Sequence, residues 1–103
     1  MTYDELLVIL APAGIPWVYH HWDSPPAPPY GVYLEGGYEP LYADDRNYLN
    51  VRTIRLEVYS PVRDPALDAR VEAALTAGGL TYEADFTYLE SEGLYESIFE
   101  IEV

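Results

Sequence analysis

Hydrophobic positions along this chain change period three times, from helical spacing to alternation, back to helical spacing, and to alternation again. Leu6, Leu7, Ile9 and Leu10 make an apolar face behind Thr2-Tyr3-Asp4-Glu5. That opening has the S/T-x-x-E form of a capping box, with Thr2 as N-cap and Glu5 at N3, and its acids sit at the positive end of the helix dipole. Pro12 and Gly14 end this first helix. Ile15 to Trp22 is β-branched and aromatic and predicts a strand with Pro16 at its start. Tyr30 to Glu35 predicts a second strand, Gly36-Gly37 a hairpin turn, and Tyr38 to Tyr42 a shorter return strand. From Tyr48 to Ser60 the chain alternates: Val51, Thr53, Arg55, Glu57 and Tyr59 on one side, Arg52, Ile54, Leu56 and Val58 on the other.

Asp64-Pro65 is an N-cap followed by proline at the first helical position, and Leu67, Val71, Ala74 and Leu75 recur at helical spacing before Gly78-Gly79. Leu80 to Leu89 and Leu94 to Val103 predict two last strands around a Ser91-Glu92-Gly93 turn. In the final strand Tyr95, Ser97, Phe99, Ile101 and Val103 alternate with Leu94, Glu96, Ile98, Glu100 and Glu102. One face reads as apolar and the other as a wet acidic face on an edge-like strand. The expectation is one α+β domain over residues 1–103, a mostly antiparallel sheet of five to six strands with two α-helices packed on it.

Charge narrows the functional classes. Eighteen acids face five arginines and no lysine, a net charge of -13, which repels phosphates and disfavours direct grip on nucleic acid. Such a balance suits a partner with a basic patch, or a surface past which a polyanion slides without sticking. There are no cysteines, hence no disulfides, thiolate metal sites or thiol nucleophiles. The Met1-Thr2-Tyr3-Asp4-Glu5 start lacks the basic region of a signal peptide, and Leu6 to Ala13 is too short to span a bilayer, so a cytosolic chain with no membrane contact is expected.

Candidate chemistry is sparse. His20 and His21, read as strand neighbours, point to opposite faces and cannot share an ion; His21 with Asp23 supplies too few ligands for structural zinc. The acid pairs Asp44-Asp45, Glu90 with Glu92 and Glu100 with Glu102 fall in expected turns or on the wet face, not in apolar pockets that would raise one carboxyl. No nucleophile elbow or phosphate loop accompanies them. No enzyme activity and no cofactor or metal is expected. The aromatic content points elsewhere. Among eleven tyrosines, Tyr30, Tyr33, Tyr38, Tyr42 and Tyr48 crowd the middle of the chain, and tyrosine buries area cheaply while keeping a polar tip, as interfaces require. Ser24 to Pro29 carries four prolines in six positions, a stiff connector or docking arm. Trp22, Pro25, Pro26, Pro28, Pro29, Tyr30, Tyr38, Tyr42 and Tyr48 are therefore the candidate protein-contact residues.

The opening T-Y-D-E-L-L, the segment G-I-P-W-V-Y-H-H-W-D-S-P-P-A-P-P-Y-G-V-Y-L and the ending Y-L-E-S-E-G-L-Y-E-S-I-F-E-I-E-V resemble small tail-assembly proteins of long-tailed phages and prophages of Gram-positive bacteria. In size and element order the chain is similar to the tail terminator, or tail completion, family. That resemblance implies a homo-oligomeric ring, a hexamer in the family, at the head-proximal end of the tail tube. Its partners would be copies of itself, the tail tube protein and the head connector, with DNA passing through unbound, first in the bacterial cytoplasm and then in the virion tail. Asp44, Asp45, Glu90 and Glu92 become candidates for the acidic lumen. The family usually carries lysines in the central stretch; this chain has none there, which points to a high-GC host or an adapted surface. The alternative is an acidic DNA mimic that inhibits a host nucleic-acid-binding protein.

Overall fold

A computed structural model describes residues 2–36 and 53–102. The expected turn after Gly36, the strand Tyr38 to Tyr42, the polar turn Ala43 to Asn47, the start of the Tyr48 to Ser60 strand, and the candidates Tyr38, Tyr42, Tyr48, Asp44 and Asp45 lie outside the described residues. In chain order the elements are α1 (Tyr3–Leu10) with a 3-10 turn at Ala11–Ala13, β1 (Trp17–Tyr19), β2 (Tyr30–Gly36), β3 (Thr53–Ser60), α2 (Pro65–Ala77), β4 (Thr81–Leu89) and β5 (Leu94–Glu102). They form a five-stranded mixed sheet in the order β1-β2-β3-β5-β4. β1 runs parallel to β2 and every other pair is antiparallel, so the α+β expectation holds.

The local signals act as chemistry requires. The Thr2 side chain accepts from Glu5 N while the Glu5 carboxylate accepts from Thr2 N, closing the capping box at α1. The bond its carboxylate accepts from Thr2 N, with a further contribution from the Thr2 side chain, holds the Glu5 carboxyl below its usual range. Asp64 caps α2 by accepting from Leu67 N at 3.1 Å. At the other end Leu80 N donates to Leu75 O and Gly79 N to Thr76 O, a Schellman closure in which Gly79 takes a φ of 76°. Both helices lie on one face of the sheet. Leu6, Leu10, Leu67, Val71 and Leu75 pack there against Tyr33, Ile54, Leu56, Val58, Phe99 and Ile101 to make the core.

Three sequence expectations need correction. The strand expected from Ile15 to Trp22 shrinks to Trp17–Tyr19, because His20 turns into the left-handed region at φ 70° and leaves the ladder. β5 is not an edge strand: it lies between β3 and β4, and β4 is the edge. The supposedly wet face of β5 is not wet throughout, since Glu96 is only 7% exposed. Register explains this, because Glu96 pairs directly opposite Tyr59 on β3 and Thr87 on β4.

Candidate protein-contact site

The face of the sheet away from the helices carries the polar chemistry. Alternation and register place Tyr30, Val32 and Leu34 of β2 there, beside Arg55, Glu57 and Tyr59 of β3. Glu96, Ile98, Glu100 and Glu102 of β5 follow, then Glu83, Asp85 and Thr87 of β4. Glu83 stands directly across from Glu100, and Glu100 across from Arg55. Like charges opposite one another destabilise a ladder. Six carboxylates thus share this face, with Arg55 the one cation among its described residues.

At one end of the face an aromatic row meets the acids. Tyr30 and Tyr59 are cross-strand neighbours with ring centroids 5.4 Å apart, and Trp22 meets Tyr30 edge-on at 6.1 Å. The Trp22 indole is fixed, because Nε1 donates to Gly31 O at 3.1 Å. The proline segment leads away from Trp22 with Pro25 exposed and Pro26, Pro28 and Pro29 half-buried; the Pro28-Pro29 bond is cis. His20, His21, Trp22, Pro25, Tyr30, Val32, Tyr59 and Glu92 line an open surface hollow of about 220 Å³. The structure therefore brings Trp22, Pro25, Tyr30 and Glu92 together, whereas Glu90 stays exposed on the β4–β5 turn.

Beneath this row Tyr59 Oη lies 2.8 Å from Glu57 Oε1 and 3.2 Å from Glu96 Oε2. Arg55 Nε donates to Glu57 Oε2 at 2.7 Å. One hydroxyl proton cannot serve two carboxylates at once. Burial, then the charge of Glu57, raises the Glu96 carboxyl above its ordinary range, so Glu96 is the group inclined to hold a proton. Burial and the same two acids push the Tyr59 hydroxyl well up. Burial also raises Tyr30, with the charge of Glu92 adding to it.

A second carboxylate shows the opposite behaviour on the helix side. Glu35 accepts from the hydroxyls of Tyr3 and Tyr19, the latter at 2.6 Å to each oxygen. Desolvation alone would raise its pKa, yet the two phenolic donors outweigh it and Glu35 titrates below the usual range. Tyr3, Tyr19 and Tyr33 pack around it with centroids 5.3 to 5.6 Å apart. Sequence reasoning missed both this cluster and the Tyr59 pair. The acids of β4 and β5 carried a readable signal, because pairing Leu89 with Leu94 across the turn fixes Glu83 opposite Glu100. The Tyr3–Glu35 contact joins a helix to a strand and had none.

The histidines also differ from expectation. His20 and His21 are not on opposite faces of a strand; their Nδ1 atoms approach to 3.1 Å, and His21 Nε2 lies 3.1 Å from Asp23 Oδ1. The left-handed turn at His20 brings them together. Among the described residues no group of three or more His, Cys, Asp and Glu is placed to hold a metal ion, and no helix is long and apolar enough to cross a membrane. Comparison with protein-family models, with curated proteins and with solved structures returned no match.

Proposed function

We propose that this chain is a phage virion structural protein, a tail terminator or tail completion component that assembles as a ring at the head-proximal end of the tail tube and joins it to the head connector. One observation supports the proposal beyond the sequence resemblance: among the described residues, a sheet face with five carboxylates besides the buried Glu96, and Arg55 as its one cation. Such a wall repels the phosphates of passing DNA instead of holding them. Contacts between copies need a different surface. β4 supplies one, an exposed nine-residue edge whose helix-side residues Phe86 and Tyr88 are 51% and 49% exposed. A long edge strand with half-exposed aromatics is a template for another chain; the Arg63 guanidinium covers one face of Phe86 at 4.2 Å, and Tyr88 packs on Tyr95 at 4.9 Å. In this role the acids on β4 and β5 line the passage, alongside the turn residues Glu90 and Glu92. The protein is a binder and not an enzyme, and it uses no cofactor.

The purified chain, alone and mixed with tail tubes, is expected to give closed rings or capped tube ends by electron microscopy and light scattering. A strict monomer that leaves tube ends bare would sink the proposal. A second reading draws on the same carboxylates: Glu83 with Asp85 and Glu100 with Glu102 recur at alternate positions on adjacent strands, about 6.6–6.8 Å apart along each. Such rows would let the protein mimic DNA and block a host nucleic-acid-binding protein. Salt-sensitive capture of such a protein from host lysate favours this second reading, and recovery of virion proteins alone favours the first.

A further inference from the structure

We propose that the hollow between Trp22, Pro25, Tyr30, Tyr59 and Glu92 is a receptor for one arginine side chain presented by another protein. This deepens the reading of the face as a protein-contact surface and does not depend on ring assembly. The walls are aromatic: Trp22, Tyr30 and Tyr59 form a continuous row with centroid spacings of 6.1 and 5.4 Å. Aromatic faces attract cations through their quadrupole, most strongly for tryptophan. Acids supply the complementary charge. Glu92 lines the hollow, and Glu57 accepts from the hydroxyl of Tyr59 at 2.8 Å.

The receptor is built before any partner arrives. The bond from Trp22 Nε1 to Gly31 O fixes the indole, Tyr59 is tethered to two carboxylates, and prolines stiffen the chain beyond Trp22. Trp22 and Tyr59 thus have little side-chain freedom left to lose on binding. A volume of about 220 Å³ accommodates a side-chain head and not a drug-sized molecule. Arginine fits better than lysine because its flat guanidinium can stack on a ring while its edge donates two hydrogen bonds to a carboxylate such as Glu92.

Titration of the full-length protein with acetyl-Gly-Arg-Gly-amide, followed by NMR at the Trp22 indole N–H and the Tyr30 amide, tests this. The expected result is a saturable shift confined to these residues and their neighbours. It should be absent with the isosteric but uncharged citrulline peptide, and three- to tenfold weaker with the lysine peptide, as loss of stacking implies. Glu92→Gln, on an exposed turn and harmless to folding, should weaken binding about three- to tenfold, while Glu102→Gln at the opposite end of the sheet should not. Equal binding of the citrulline peptide, wild-type affinity in both Glu92→Gln and Trp22→Leu, or shifts spread evenly over Glu83 to Glu102 would overturn the proposal. A monomer that still binds the arginine peptide here would defeat the ring assignment and leave this one standing; rings that fail to bind it would do the reverse.

Discussion

At the scale of single residues, two glutamates in one small domain are set to opposite uses by their donors. Glu35 is depressed by the Tyr3 and Tyr19 hydroxyls, so its folded pKa lies below its unfolded value. Its stabilising contribution is present above the unfolded carboxylate value of about 4.3 and fades as pH falls through the lower folded value. Glu96 is raised by burial and by Glu57, with Tyr59, Arg55 and Glu92 also facing it. Folding then favours its protonated form, a contribution complete at low pH and lost as pH rises through the raised value. Glu35→Gln should therefore lower the urea midpoint more at pH 7 than at pH 3, and Glu96→Gln should raise it more at pH 7 than at pH 3. Midpoint changes that do not vary with pH would show that neither carboxyl is coupled to folding.

At the scale of elements, close packing and caps decide which local signals matter. Gly31 faces the Trp17 ring across the β1–β2 pair, and a Cβ there would collide with the six-membered part of the indole. Gly31→Ala should cost about 1–3 kcal/mol by overpacking, visible as a lower denaturation midpoint and a shifted tryptophan emission. Removing the α2 cap by Asp64→Ala should cost about 1 kcal/mol, whereas Phe99→Ala, in the core under both helices, should cost about 3–5 kcal/mol. A cap variant as damaging as the core variant would mean that α2 governs folding more than the sheet does.

At the scale of the whole molecule, charge works against the fold. A net charge of -13 on so small a chain makes the folded state repel itself, and cross-strand pairs such as Glu83 with Glu100 concentrate that repulsion. Raising salt from about 10 mM to about 150 mM shortens the screening length from about 30 Å to about 8 Å. The Tm should rise over that range by about 4–8 °C, equivalent to about 1 kcal/mol. A Tm indifferent to salt would show that repulsion among these carboxylates does not limit the stability of the fold. Assembly would reinforce the salt effect, since screening also lets like-charged copies approach.

What the sequence determined by itself was everything set by neighbours along the chain. Thr2 with Glu5, Asp64 with Pro65, and Gly79 announced the helix ends, because caps involve residues three or four apart. The alternation of Ile54, Leu56 and Val58 and of Ser97, Phe99 and Ile101 announced the core face, because a strand repeats every second residue. Tertiary structure decided the strand order, which put β5 inside and β4 at the edge, and with it the fate of Glu96. No local rule could bury that carboxyl, since its surroundings come from Tyr59 and Glu57 on β3, thirty-seven or more positions away. The aromatic hollow was half legible: Trp22 and Tyr30 stood out by type, but Tyr59 and Glu92 joined them only once β2, β3 and the β4–β5 turn came to one end of the sheet.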